Sequence, residues 1–137
     1  MFANPDNEQI SNLLKNSTTI AVVGISNKPE RDSYKVAEYL QKQGYKIIPI
    51  NPAIKEVLGE KAYSSLTQVS IPVDIVDVFR RSKEVPGVIK EALKLKPKAI
   101  WLQLGVIDEE AAKQAINEGL TVIMDRCIKI EHDRLFG

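Results

Sequence analysis

Cysteine occurs once in this chain of 137 residues, at Cys127, which excludes an internal disulfide framework and fits a reducing compartment. Long apolar runs are missing as well. Nothing approaches the roughly 18 residues needed to cross a bilayer, and Met1-Phe2-Ala3-Asn4-Pro5 lacks the basic-then-apolar layout of a secretory leader, so the reading is a cytoplasmic protein with no membrane partner. Charge of one sign is scarce: 19 Lys and Arg stand against 18 Asp and Glu, too even a balance to gather nucleic acid by field alone. The lone histidine, His132, reads as a surface group in the tail rather than a base. No nucleophile-base-acid set, paired carboxylates or metal-ligand spacing is present, so no catalytic and no metal-binding residue is assigned.

What is present is an alternation of two hydrophobic periods. Strands are expected at Ile20 to Gly24, Lys46 to Ile50, Ile75 to Phe79, Ala99 to Leu104 and Leu120 to Met124, several of them continuous β-branched runs suited to burial on both faces of a parallel sheet. Helical stripes lie between them: Val36, Ala37 and Leu40 before Gly44, then Val85, Val88, Ile89, Ala92 and Leu93 before Pro97. A third begins at Asp108, carries Glu109 and Glu110 where the helix dipole favours acid, and should bury Ala111, Ala112, Ala115 and Ile116. An opening helix, with Asn4 before Pro5 and then Ile10, Leu13 and Leu14, should cover one side of the sheet. The segment Ala62 to Val69 leaves room for only a short helix or turn. The expectation is one domain over residues 1–137: an α/β, Rossmann-like three-layer sandwich with a five-stranded, mostly parallel sheet in the order 3-2-1-4-5.

The loop after the first strand is the candidate site. An apolar strand, Ile20 to Val23, runs into Gly24 and then into Ile25, Ser26, Asn27, Lys28, Arg31, Ser33, Tyr34 and Lys35, with Ser33 placed to cap the next helix. A glycine lets the backbone turn and approach a ligand, and the free N–H groups of a helix start attract an anion, so the loop reads as a seat for a nucleotide diphosphate. It is not the usual NAD fingerprint, which needs three glycines and an acid after the second strand. Here Gly24-Ile25-Ser26-Asn27-Lys28-Pro29 has one glycine, and Asn51-Pro52 stands where the acid should be. No G-K-[ST] triplet occurs, which sets aside a nucleotide-hydrolysing P-loop.

Taken together, Gly24-Ile25-Ser26, the run Arg31 to Leu40, Ile48-Pro49-Ile50-Asn51-Pro52, Gly59-Glu60-Lys61-Ala62-Tyr63, Trp101-Leu102-Gln103-Leu104-Gly105 and Asp125-Arg126-Cys127 resemble the stand-alone CoA-binding domain proteins. These are related to the CoA-binding domains of succinyl-CoA synthetase alpha chains and ADP-forming acyl-CoA synthetases. The resemblance covers nearly the whole chain and implies a bound coenzyme A or acyl-CoA. It implies that Gly24, Ile25, Ser26, Lys28, Arg31, Ser33, Tyr34 and Lys35 hold the diphosphate and neighbouring 3′-phosphate, and that Asn51 and Pro52 flank the adenosine. Phe79, Arg80 and Arg81 would pack along the adenine and pantetheine side, with Gln103, Gly105, Arg126 and Cys127 where the pantetheine arm leads. The chemistry agrees: three phosphates want several converging cations, and arginine offers a bidentate fork. Asn51 is neutral where an aspartate would repel the 3′-phosphate.

Trp101 reads as core rather than cofactor stacking, Tyr34 and Tyr39 as packing residues with wet tips, and Asp74, Asp77 and Asp125 as structural acids. Cys127 has two readings, a small buried hydrophobe or a sulfur facing the thiol of bound CoA and able to form a mixed disulfide. The functional expectation is a binding, sensing or thiol-protecting module. The alternatives are an NAD(P)- or nucleotide-dependent enzyme using the same crevice, or a CoA-ligase subunit whose catalytic parts lie on another chain. Pairing with itself or with an unidentified protein is left open by the residues.

Overall fold

A computed structural model describes residues 2–137. Seven strands and five helices follow in chain order: α1 (Asn7–Lys15), β1 (Thr19–Val23), α2 (Asp32–Lys42), β2 (Lys46–Ile50), β3 (Glu56–Val57), β4 (Glu60–Lys61), β5 (Ile75–Val78), α3 (Val85–Leu95), β6 (Ala99–Leu102), α4 (Glu109–Asn117), β7 (Thr121–Ile123) and α5 (Ile128–Phe136). Single 3₁₀ turns at Leu66–Gln68 and Ser82–Glu84 interrupt the loops before β5 and α3. The first matches the short turn expected between the second and third long strands.

Five strands form a parallel sheet in the spatial order β2-β1-β5-β6-β7, with β1 paired to β2 on one side and to β5 on the other. All five expected strands are found, and the sheet is the expected Rossmann-like α/β core. Their order is corrected: counted among the long strands it is 2-1-3-4-5 and not 3-2-1-4-5. The physical reason lies in the connection after β2. A right-handed crossover ties the direction of each step to the face its connection covers. The step from β1 to β2 passes through α2 on one face. The return carries Leu66, Val69 and Val73, which pack with Ile89 and Ala92 of α3 on the other face. A connection on that opposite face sends the chain back across β1, so β5 pairs with β1 rather than extending beyond β2.

Alternation along the strands feeds both faces. Ala21, Val23, Val76 and Val78 meet α3 and α4, while Ile20, Val22 and Ile75 meet α1, α2 and α5. Trp101 is fully buried in the second layer, as its alternation indicated, and its indole N–H donates to the Arg126 carbonyl at 2.9 Å.

Three local expectations are corrected. α1 starts at Asn7 because Asp6 and Gln9 form a reciprocal capping box, while Asn4 pairs through its side-chain amide with both backbone groups of Met124. Ile116 is exposed, since α4 buries only its alanine stripe; Asp108 does cap that helix, accepting from the Ala111 N–H at 3.0 Å. His132 is buried rather than on the surface, because the tail folds as α5 and packs the imidazole against Tyr39, Tyr45 and Phe136. The short hairpin β3–β4 was also unforeseen. It turns on Leu58 and Gly59, both at positive φ, and leucine there breaks the usual Asn-Gly signature.

Candidate functional site

In an open parallel sheet of this order, the crevice forms where strand order reverses, beyond the carboxyl ends of β1 and β5. Two hollows open there, and Arg80 and Glu84 line both. The larger, of about 840 Å³, is walled by the start of α2, the loop after β5, the loop after β6 and the start of α5. The smaller, of about 410 Å³, lies at the ends of β1 and β2 against α3 and includes Pro52, Ser64, Ser65 and Val88.

Gly24 sits at the junction. Its φ is +86°, its N–H donates to the Ile50 carbonyl at 2.8 Å, and any Cβ would run into the Phe79 carbonyl. Only glycine lets β1 and β5 close together here. The following loop is braced from within: the Ser26 N–H donates to Ser33 Oγ at 2.9 Å, and the Lys28 N–H donates to Ser26 Oγ at 3.0 Å. Ser33 is therefore not the helix cap. Arg31 occupies the cap position without a side-chain hydrogen bond, which leaves the first-turn N–H groups of α2 without a capping side chain. Ile25 buries its side chain in the core, so this residue can offer a ligand only its backbone. Lys28 and Arg31 are exposed beside the loop, and Tyr34 is half-buried.

Of the expected binding residues, the larger hollow collects Lys35, Phe79, Arg80, Arg81, Gln103 and Cys127; Pro52 and Arg80 line the smaller one. Others have internal duties. Asn51 donates from Nδ2 to the Ile25 carbonyl and accepts the Ala53 N–H on Oδ1, both at 2.8 Å, so its amide staples two site loops together. Gln103 is buried and its Oε1 accepts the Ile128 N–H at 3.2 Å, giving α5 a cap from a distant strand end. The Gly105 N–H donates to Asp125 Oδ1 at 2.7 Å, and Arg126 lines a separate hollow while pairing with Glu131 at 3.1 Å. These last two stand outside the main cavity.

Residues that sequence reasoning did not assign also line it: Asp32, Val36, Glu84, Leu104, Val106, Lys129 and Ile130. Lys129 and Ile130 escaped because α5 has a weak apolar stripe, and Val36 because it was counted as core. The electrostatics are divided. Four cations, Lys35, Arg80, Arg81 and Lys129, face two carboxylates, Asp32 and Glu84, and Glu84 is held by Arg81 at 3.4 Å. Cys127 is a half-buried free thiol at the cap position of α5.

One buried acid lies just below. Asp77 follows the strand alternation onto the α1, α2 and α5 face, in register with Val22 and Trp101, one step beneath Phe79. It is fully buried, neither carboxylate oxygen has a hydrogen-bond partner, and burial pushes its carboxyl well above the usual carboxylate range. His132 is on the same face but lines a different hollow of about 210 Å³; its Nδ1 meets the Tyr39 hydroxyl at 2.9 Å, and burial holds its imidazole below the ordinary value despite Asp133. No cluster of His, Cys, Asp and Glu suited to a metal ion, and no helix long and apolar enough to cross a membrane, occurs among the described residues.

Residues 18–133 match a family model described as a CoA binding domain. The uncharacterized protein YneT of Bacillus subtilis is 48% identical over 129 residues, covering 94% of this chain and 96% of its own. A solved structure of a hypothetical protein from Pyrococcus horikoshii superposes with a TM-score of 0.94 at 36% identity, over 100% of this chain and 99% of that one. The alpha subunit of an ADP-forming acetate–CoA ligase II from Pyrococcus furiosus is 29% identical over 126 residues, or 84% of this chain and 28% of that subunit. The match therefore covers under a third of the ligase subunit.

Proposed function

This chain belongs to the CoA binding domain family, and from that premise we propose that it binds coenzyme A or an acyl-CoA across the carboxyl ends of its strands, as a binding, sensing or thiol-protecting module. The observation that carries the reading is the pair of hollows sharing Arg80 over the junction of β1 and β5. A ligand whose diphosphate joins an adenosine to a long pantetheine arm suits such a site. The diphosphate would rest on the loop after Gly24, taking N–H groups from the uncapped start of α2 and the charge of Lys35, with Lys28 and Arg31 near the 3′-phosphate. The adenosine would enter the smaller hollow beside Pro52, where Ser64 and Ser65 supply hydroxyls and Val23, Ile50 and Val88 supply apolar wall. The pantetheine arm would cross the larger hollow toward Gln103 and Cys127. Its volume of about 840 Å³ falls within the range of roughly 300–1,000 Å³ usual for small-molecule sites.

Calorimetric titration with CoA, dephospho-CoA, NADP and ATP tests the reading. CoA should bind best, and loss of the 3′-phosphate should weaken binding by about tenfold, as expected for about 1.5 kcal/mol from a charge-assisted contact. Arg31→Ala should narrow that gap. Equal binding of NADP, or no binding of CoA, would overturn the proposal.

A further inference from the structure

Resting on that reading, we propose that the physiological ligand is a thioester of coenzyme A with an apolar, uncharged acyl group, and that Leu104, Val106 and Ile130 form the seat for that group. The chemistry of the cavity changes along the sheet. From the loop after β1 to the start of α5 beyond β7 is three strand spacings, about 14 Å. A pantetheine arm leaving the diphosphate therefore delivers its sulfur over the last two strands, beside Gln103 and Cys127.

The same cavity carries an aliphatic group. Leu104 from the loop after β6 and Ile130 from α5 approach the cavity from different elements, and both leave most of their surface in water, at 65% and 56% exposed; Val106 lines the same cavity and is buried. Two large aliphatic side chains facing one cavity and left wet is the arrangement a ligand methylene chain would dry. On this proposal the thiol of free CoA stops beside Gln103 and Cys127 and leaves Leu104 and Ile130 wet. Two cations lie at this end: Arg81, whose neighbour Ser82 accepts the Ile107 N–H at 2.9 Å, and Lys129, whose Nζ lies 5.6 Å from the Tyr39 ring centroid while its side chain lines the cavity. The two cations nearest the seat are thus already engaged, Arg81 with Glu84 at 3.4 Å and Lys129 over Tyr39, which disfavours a terminal carboxylate.

The test is a titration series on the purified full chain: CoA, then acetyl-, butyryl- and hexanoyl-CoA, with succinyl-CoA as the charged counterpart of butyryl-CoA. Affinity should rise from acetyl- to hexanoyl-CoA by roughly two- to fourfold per methylene. Succinyl-CoA should bind at least tenfold more weakly than butyryl-CoA. Leu104→Ser and Ile130→Ser, both at exposed positions, should flatten the chain-length series. Binding of CoA with a flat series, or with succinyl-CoA equal to butyryl-CoA, would overturn the acyl seat and leave the CoA site standing. Failure of every ligand including CoA would remove the CoA site itself, and the seat with it.

Discussion

Replacing Asp77 by asparagine should make the protein more stable at neutral pH and should remove a pH dependence that the native protein carries. The carboxyl is fully buried between Val22 and Trp101, and neither oxygen has a partner. Burial raises its folded-state pKa well above the unfolded value, so the folded protein retains a proton that the unfolded chain releases. The sign follows from linkage: stability from this group is complete below the unfolded pKa of about 3.9 and is lost as pH rises toward the folded pKa. Each pH unit in that window costs about 1.4 kcal/mol, or roughly 3–5 °C in melting temperature for a domain of this size. Asparagine has nearly the same shape and leaves the same polar atoms unpartnered, so the two proteins should be about equally stable near pH 4 and diverge above it. Asp77→Val removes the polar atoms as well and should gain a further 1–3 kcal/mol or so at every pH. Urea unfolding followed through Trp101, the single tryptophan and a register neighbour of Asp77, reads the difference at four or five pH values. Taking the variant minus the native protein cancels every other titrating group. Parallel stability curves, or a less stable asparagine variant, would show that the carboxylate has a partner and refute the reasoning.

Gly24→Ala should lower stability by at least about 1–2 kcal/mol from left-handed strain alone, and more from the collision with the Phe79 carbonyl; it should also abolish CoA binding, since β1 and β5 must part at the proposed diphosphate seat. Thermal unfolding and calorimetry check both, and a native-like melting temperature would contradict the close approach. His132 acts in the opposite sense to Asp77: burial lowers its folded pKa, so stability from the neutral imidazole is present above about pH 6.5 and is lost as pH falls toward the folded value. His132→Phe should lose that acid-side decline, and at pH 7.5 should cost about 0.5–1.5 kcal/mol for the missing Tyr39 hydrogen bond, both readable by urea unfolding.

Much of the architecture is written in local pattern. Continuous β-branched runs such as Ile20 to Val23 and Ile75 to Val78 can be satisfied only by burial on both faces, which demands helices above and below a parallel sheet. Gly24 was legible as a turn suited to glycine; that its missing Cβ makes room for the Phe79 carbonyl was not. The roles of Ser33, Asn51 and Gln103 were not legible. Each is a polar residue near the crevice, and each has its side chain engaged by a backbone group outside its own element: Ser26 in the preceding loop for Ser33, and the distant Ile25 and Ile128 for Asn51 and Gln103. Hydrogen-bond partners of that kind leave no periodic trace. The tail was obscured likewise, since α5 owes its place to long-range packing of Ile128 and His132 and to the cap from Gln103.

Composition and periodicity by themselves determined an α/β architecture and its five long strands, because burial and backbone geometry act on neighbours along the chain. Tertiary structure alone decided that β5 lies beside β1, that α5 completes the cavity wall, and that a carboxyl is sealed without a partner beneath it. Those outcomes depend on which face a connection covers and on which distant groups meet there, and such relations exist only once the layers have packed.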